Sequence, residues 1–242
     1  MNVKLVVEYD GTNYHGFQIQ PNGNTIQEEL ERAIKKIVKD DFILYCAGRT
    51  DAGVHALGQV CNFMCDVNIP LDNLCIALNG YLPSDIVILS ANAVSDNFNS
   101  RYSAKNRLYK YRILNRVEPS AILGRYSWHI RKELDVNAMV EASNILLGSH
   151  DFKAFTVAHV DECTIRHISC IDIYKESECI YIDIKANAFL RSMVRNIVGT
   201  LVEIGLGKRK SKEMQVILDS KDRQNAGVCA PAKGLLLVEI EY

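Results

Sequence analysis

The sequence predicts an α+β protein made of two halves with the same order of elements. Apolar residues alternate with period two in some segments and recur with the helical period in others, and the two patterns interleave along the chain. A β-α-β-β-α-β order is complete within residues 3–93 and then recurs with longer connections. Each half resembles the ferredoxin-like or RNA-recognition sandwich in order alone, which says nothing about chemistry. With 242 residues, 48% hydrophobic and 24% charged, the chain can bury one large core or two small ones, which excludes disordered and fibrous classes.

Residues 3–9 alternate as a strand, and a loop rich in Gly, Asn and Tyr occupies 10–24. Thr25 and Glu28 stand as a capping pair around Ile26, Leu30, Ala33, Ile34 and Ile37, which share one helix face. Strands are expected over 42–47, 57–65 and 85–93, with a short helix over 71–79 after Pro70. In the second half a strand is expected over 107–114 and a helix over 135–147, capped by Asp135 and stopped by Gly148. Strands over 165–174 and 179–186, a long apolar helix over 188–204, a short helix over 211–218 and a last strand over 234–242 complete the order. The expected units are residues 1–100 and 101–242. No flexible linker separates them, so an interface and a continuous sheet between the halves are expected.

The longest stretches without Asp, Glu, Lys or Arg, residues 11–27 and 52–65, are both shorter than the roughly 18 apolar residues a membrane span needs, and both are interrupted by Gly, Gln, His and Asn. The N-terminal MNVKLVVEYDG enters a strand pattern directly, without a charged-then-apolar leader, so a cytoplasmic location is expected. Eight cysteines without a CxxC pair and six histidines away from ligand spacing are expected as buried, reduced thiols and no metal site.

The formal net charge of -1 argues against a surface coated for non-specific nucleic-acid binding, but the charge is uneven. Residues 101–132 hold nine bases, Arg101, Lys105, Arg107, Lys110, Arg112, Arg116, Arg125, Arg131 and Lys132, against the single acid Glu118. Residues 185–212 hold seven, including Arg191 and Arg195, against Glu203. The remaining residues carry 12 bases and 27 acids. The first basic window is interleaved with Tyr102, Tyr109, Tyr111, Tyr126 and Trp128, the combination of phosphate contacts and stacking surfaces suited to single-stranded or looped RNA. Solvated charged faces are the bland alternative.

The segment GRTDAGVH at 48–55 carries the chemistry. Gly48 and Gly53 bracket Arg49, Thr50 and Asp51 between two strands, so the chain can turn and present Asp51 outside the sheet. Arg49 can hold the carboxylate ionised or bind a phosphate. An ionised, positioned carboxylate is what attack on a sugar or an electrophilic base carbon requires, although an Asp that merely caps backbone amides fits the same pattern.

The string CAGRTDAGVH at 46–55 resembles the signature of the TruA family of tRNA pseudouridine synthases, centred on its single essential aspartate. Glu8-Tyr9-Asp10-Gly11, Tyr14-His15-Gly16-Phe17-Gln18 and Gln20 resemble the family's opening, with Phe17 where Trp is common. Residues 98–111 resemble the segment that supplies the family's active-site tyrosine, residues 183–199 its basic helix, and residues 230–235 its C-terminal strand, where Ala232 replaces a frequent second proline.

The resemblance implies the pseudouridine synthase fold, in which two ferredoxin-like halves share a mixed, mainly antiparallel sheet with the active-site cleft between them. The implied reaction isomerises uridine within RNA. The N1–C1′ bond is cut, the uracil turns, and it is rejoined through C5, with no cofactor, metal or nucleotide energy. Asp51 is implied as the nucleophile at the sugar, or as the base that starts cleavage. A conventional glycoside hydrolase wants two carboxylates flanking the bond, whereas this motif offers one.

Tyr109 is implied to stack on the target base and help remove the C5 proton, and Arg195 to pair with Asp51. Arg191 and Arg195, four apart, are expected on one edge of the long helix beside an apolar face of Phe189, Met193 and Ile197. Arg49, Arg101, Lys105, Arg107 and Leu235 are the expected RNA contacts, with Arg49 filling the space of the flipped uridine or touching its phosphate and Leu235 lying on the uracil face. His55 is expected to be structural. The family implies a homodimer acting on uridines 38, 39 and/or 40 of the tRNA anticodon stem-loop. The alternative is a catalytically silent RNA-binding or tRNA-folding module on the same scaffold.

Overall fold

The computed structural model describes residues 1–21, 23–39, 41–66, 69–157 and 163–242. The chain forms two compact units, Met1–Lys105 with Leu236–Tyr242, and Asn106–Leu235.

The first unit runs β1 (Asn2–Tyr9), α1 (Ile26–Ile37), β2 (Tyr45–Cys46), β3 (His55–Met64), α2 (Leu71–Tyr81) and β4 (Ile86–Val94). β1 lies between β3 and β4, antiparallel to both, with a bulge against β4 at Val6/Val7. Its alternate residues Val3, Leu5, Val7 and Tyr9 are buried, as are Ile26, Leu30, Ala33 and Ile34 of α1 and Leu74 and Leu78 of α2. The Thr25 hydroxyl accepts a hydrogen bond from the Glu28 amide at 3.3 Å, while the Glu28 carboxylate turns outward to Arg32. Only half of the expected capping box is therefore made. Glu28 and Glu29 in the first turn and Lys35 and Lys36 in the last suit the helix dipole. Replacing Thr25 by Ala costs about 1 kcal/mol, read as a lowered midpoint in urea.

The strand expected over 42–47 shrinks to Tyr45–Cys46, paired with Asn62 and Cys61. Phe42 packs its ring against Phe63 at 5.5 Å and Leu44 is buried, so the apolar alternation there reflects side-chain packing rather than a ladder.

The second unit contains β5 (Asn106–Asn115), β6 (Trp128–Ile130), α3 (Val136–Asn144), β7 (Gly148–Asp151), β8 (Ile165–Glu176), β9 (Cys179–Ala186), α4 (Met193–Gly205) and α5 (Glu213–Ser220). β9 is antiparallel to β5 on one side and to β8 on the other, β7 extends β8, and the short β6 runs parallel to β5. Ile180, Ile182 and Ile184 of β9 and Ile197, Val198 and Leu201 of α4 are fully buried. The last strand, β10 (Leu235–Glu241), pairs in parallel with β3 in the first unit through Leu236↔His55 and Leu237↔Ala56. The architecture is α+β, with strand pairing mixed and mainly antiparallel.

Three expectations need correction. The helix expected over 188–204 starts at Met193, because Ser192 sits in the left-handed region at φ 57 and breaks the turn. Arg191 therefore precedes α4 and shares no helix edge with Arg195, and Phe189 lies in the approach segment rather than on the helix. α3 ends at Asn144, and Gly148, expected as a stop, opens β7. Of the cysteines, all free, only Cys61, Cys65 and Cys179 are buried, whereas Cys163 and Cys170 are exposed. Cys170 lies opposite Lys185 and follows the register shift in β8 that carries it off the isoleucine face. No helix among the described residues is long and apolar enough to cross a membrane.

Candidate functional site

In the first unit the 48–54 segment leaves the short β2 and returns as β3, and its conformation is held from several sides. The fully buried Gln59 of β3 donates from its side-chain amide to the Gly48 carbonyl at 2.6 Å. The Val54 amide closes a turn onto the Asp51 carbonyl at 3.1 Å, with Gly53 at φ 77. At the loop's exit the Gly11 amide donates to Nδ1 of the buried His55 at 3.1 Å. Asp51 is half-buried and Arg49, two residues before it, is exposed, so one short loop carries both groups.

Burial raises the thiol of Cys46, at the root of this loop, to about 11, while Arg49 and Arg101 pull it the other way. At neutral pH Cys46 is a protonated thiol and a poor nucleophile. The opposing pull of Arg49 and Arg101 places two cations within electrostatic reach of the loop root. Arg101 lies with its guanidinium 5.5 Å from the ring centroid of Tyr102, which is 77% exposed, and Lys105 is exposed, its amide tied to the Glu241 carbonyl at 2.8 Å.

In the second unit Tyr109 of β5 is only 8% exposed and meets the ring of Phe189 edge-on, with centroids 5.1 Å apart. Arg195 of α4 donates from Nε to the Ala230 carbonyl at 2.7 Å, and its own carbonyl accepts the Ala230 amide at 3.1 Å, so the segment before β10 is bonded to the helix that carries Arg195. Arg107 donates to the Asn187 carbonyl at 2.5 Å. Leu235 is buried. Phe189 is the residue that the sequence reading misplaced; the aromatic in the Asn187-Ala188-Phe189 turn is the signal that could have drawn it to Tyr109.

Part of the first basic window serves the fold. Lys110 pairs with Asp183 at 3.2 Å, Arg112 lies over the ring of Tyr181, and Arg116 pairs with Glu178. Arg101 and Lys105 remain exposed to solvent, so counting charges by window overstates the cations available to RNA.

Tyr111 donates its hydroxyl to the Pro231 carbonyl at 2.7 Å, and burial, reinforced by Cys229 and opposed by Arg195, raises its ionisation far above the ordinary tyrosine value. The folded state therefore favours the neutral phenol. This contribution to stability is complete below about pH 10 and is lost as the pH rises further. Tyr111→Phe is expected to lower the melting temperature at pH 7 and to flatten the loss of stability above pH 10, followed by thermal melts across that range.

A half-buried aspartate on a held loop, with an exposed arginine two residues before it, forms a carboxylate site open to a polyanionic ligand. Across the chain, residues 5–103 and 142–242 match the family model described as tRNA pseudouridine synthase. The chain is 50% identical over 242 residues to the tRNA pseudouridine synthase A of Thermoanaerobacter sp. (strain X514), covering all of this chain and 99% of that protein. It is 46% identical to the tRNA pseudouridine synthase A 2 of Clostridium perfringens (strain 13 / Type A), with the same coverage. A solved structure of an H/ACA RNP bound to a substrate RNA aligns at a TM-score of 0.39 and 10% identity over 83% of this chain and 44% of its own, too distant to add to the assignment. The chain belongs to the tRNA pseudouridine synthase family, whose members isomerise uridine to pseudouridine.

Proposed function

We propose that the protein converts uridine to pseudouridine at one or more of positions 38, 39 and 40 of the tRNA anticodon stem-loop, as a cytoplasmic homodimer. The observation that carries this reading is the Asp51 loop, whose single carboxylate belongs to a half-buried residue two positions from an exposed arginine, on a chain that shares its whole length with tRNA pseudouridine synthases. Asp51 attacks C1′ as nucleophile and displaces the uracil at N1; the turned uracil then bonds to C1′ through C5, which releases the carboxylate. Tyr109, held edge-on by Phe189, presents its ring for stacking on the base and assists loss of the C5 proton. Arg195 orients the Asp51 carboxylate. Arg49, Arg101, Lys105 and Arg107 contact the RNA backbone, and Leu235 packs on the uracil. No external group is consumed, because substrate and product are isomers.

Tritium release from C5-labelled uridine in unmodified tRNA tests this directly. Release by the wild type supports the enzyme; its absence on every tRNA supplied favours the silent RNA-binding module. Phosphate contacts of this number imply that tRNA affinity falls by at least about tenfold between 50 and 200 mM salt, measured by filter binding, and a flat response would remove the charge argument.

A further inference from the structure

Thr50, the residue before Asp51, is held by two neighbours distant in sequence. Its hydroxyl lies 2.8 Å from the Tyr9 hydroxyl in a buried contact, and Thr50 itself is 7% exposed. Its carbonyl accepts the Phe17 amide at 3.1 Å, with the Phe17 side chain buried in the core. Gly16, at φ 96, makes this approach possible. A Cβ there would stand 2.7 Å from the Thr50 carbonyl oxygen and 3.2 Å from the Asp51 carbonyl carbon, closer than a side chain tolerates. Backbone and side chain of one residue are thus both tied to rigid elements, the end of β1 and the segment leading into α1. The next residue carries the carboxylate.

We propose that Tyr9 and Thr50 are positioning residues for the isomerisation, forming with the Gly16-Phe17 backbone a clamp that aims the Asp51 carboxylate at the sugar carbon. This rests on the reading of Asp51 as the reacting group. A carboxylate on an open loop samples many orientations, and one held by its neighbour's backbone is oriented before the RNA arrives. Displacement by about 1 Å costs up to about 100-fold in rate without touching substrate affinity.

The test compares Tyr9→Phe, Thr50→Val, their double variant, Thr50→Ser and Asp51→Asn on unmodified tRNA, with thermal melting of each. Tyr9→Phe and Thr50→Val are expected to lower kcat by about 10- to 100-fold with KM for tRNA within about twofold of wild type. Thr50→Ser, which keeps the hydroxyl, recovers most of that loss. The double variant falls no further than the worse single one, because both break one contact. Tyr9→Phe removes one oxygen and leaves the ring in place, so it carries the test even where Thr50→Val is poorly folded. Wild-type kcat in both folded variants, or a raised KM at unchanged kcat, with Asp51→Asn inactive, overturns the clamp alone. An active Asp51→Asn overturns the reading of the site and the clamp together.

Discussion

Asp51→Asn is expected to abolish pseudouridine formation, lowering the rate by at least about three orders of magnitude, with tRNA affinity and melting temperature close to wild type. The amide has the shape of the carboxylate but no negative charge, so it can neither attack the sugar carbon nor act as a base. Affinity should persist, because the amide leaves Arg49 and Arg101 in place and the loop's fold depends on Gln59, Phe17 and the Val54 turn. Single-turnover rates with saturating enzyme, beside filter-binding affinities, separate the two effects. Robust turnover by the variant would move the chemistry to another residue.

The second large effect is on stability. Gly199 lies inside α4, one turn after Arg195, and a Cβ there would run into the carbonyl of Val228. The 227–230 segment lies against the helix at that point, with the Gly227 amide donating to the Thr200 hydroxyl at 2.9 Å and Ala230 bonded at both backbone atoms' reach to Arg195. Gly199→Ala is expected to destabilise the protein by about 3 kcal/mol, because overpacking meets backbone on both sides and neither can yield without breaking these bonds. That corresponds to a melting temperature lower by about 6 to 12 °C for a chain of this size. An unchanged melting curve would mean that the segment can stand off the helix.

Features set by neighbouring residues were legible in the sequence, and those set by distant partners were not. Thr25 caps α1 as its spacing with Glu28 predicts, and β1, β3, β8 and β9 follow their apolar alternation to within a few residues. β6 and β7 were missed because segments this short owe their ladders to β5 and β8 rather than to their own pattern. The start of α4 was misread because an apolar run continues through Phe189 and Leu190, while the left-handed Ser192 and the Thr156 hydroxyl bond to the Arg191 carbonyl at 3.1 Å fix a turn there. At the site, the Asp51 loop announced itself because its glycines, arginine and aspartate are contiguous. The fate of Lys110, Arg112 and Arg116 depended on register with β9, which sets Asp183 and Tyr181 opposite the first two. Thr50's partners, Tyr9 and Phe17, come from the opening motif, whose link to the loop only the fold makes.

The most direct measurement is the product. Unmodified tRNA incubated with the wild-type protein, digested to nucleosides and separated by chromatography, should show pseudouridine in the amount of uridine lost, with no free uracil. Free uracil would mark the protein as a hydrolase of the glycosidic bond, and intact uridine throughout would contradict an isomerase centred on Asp51.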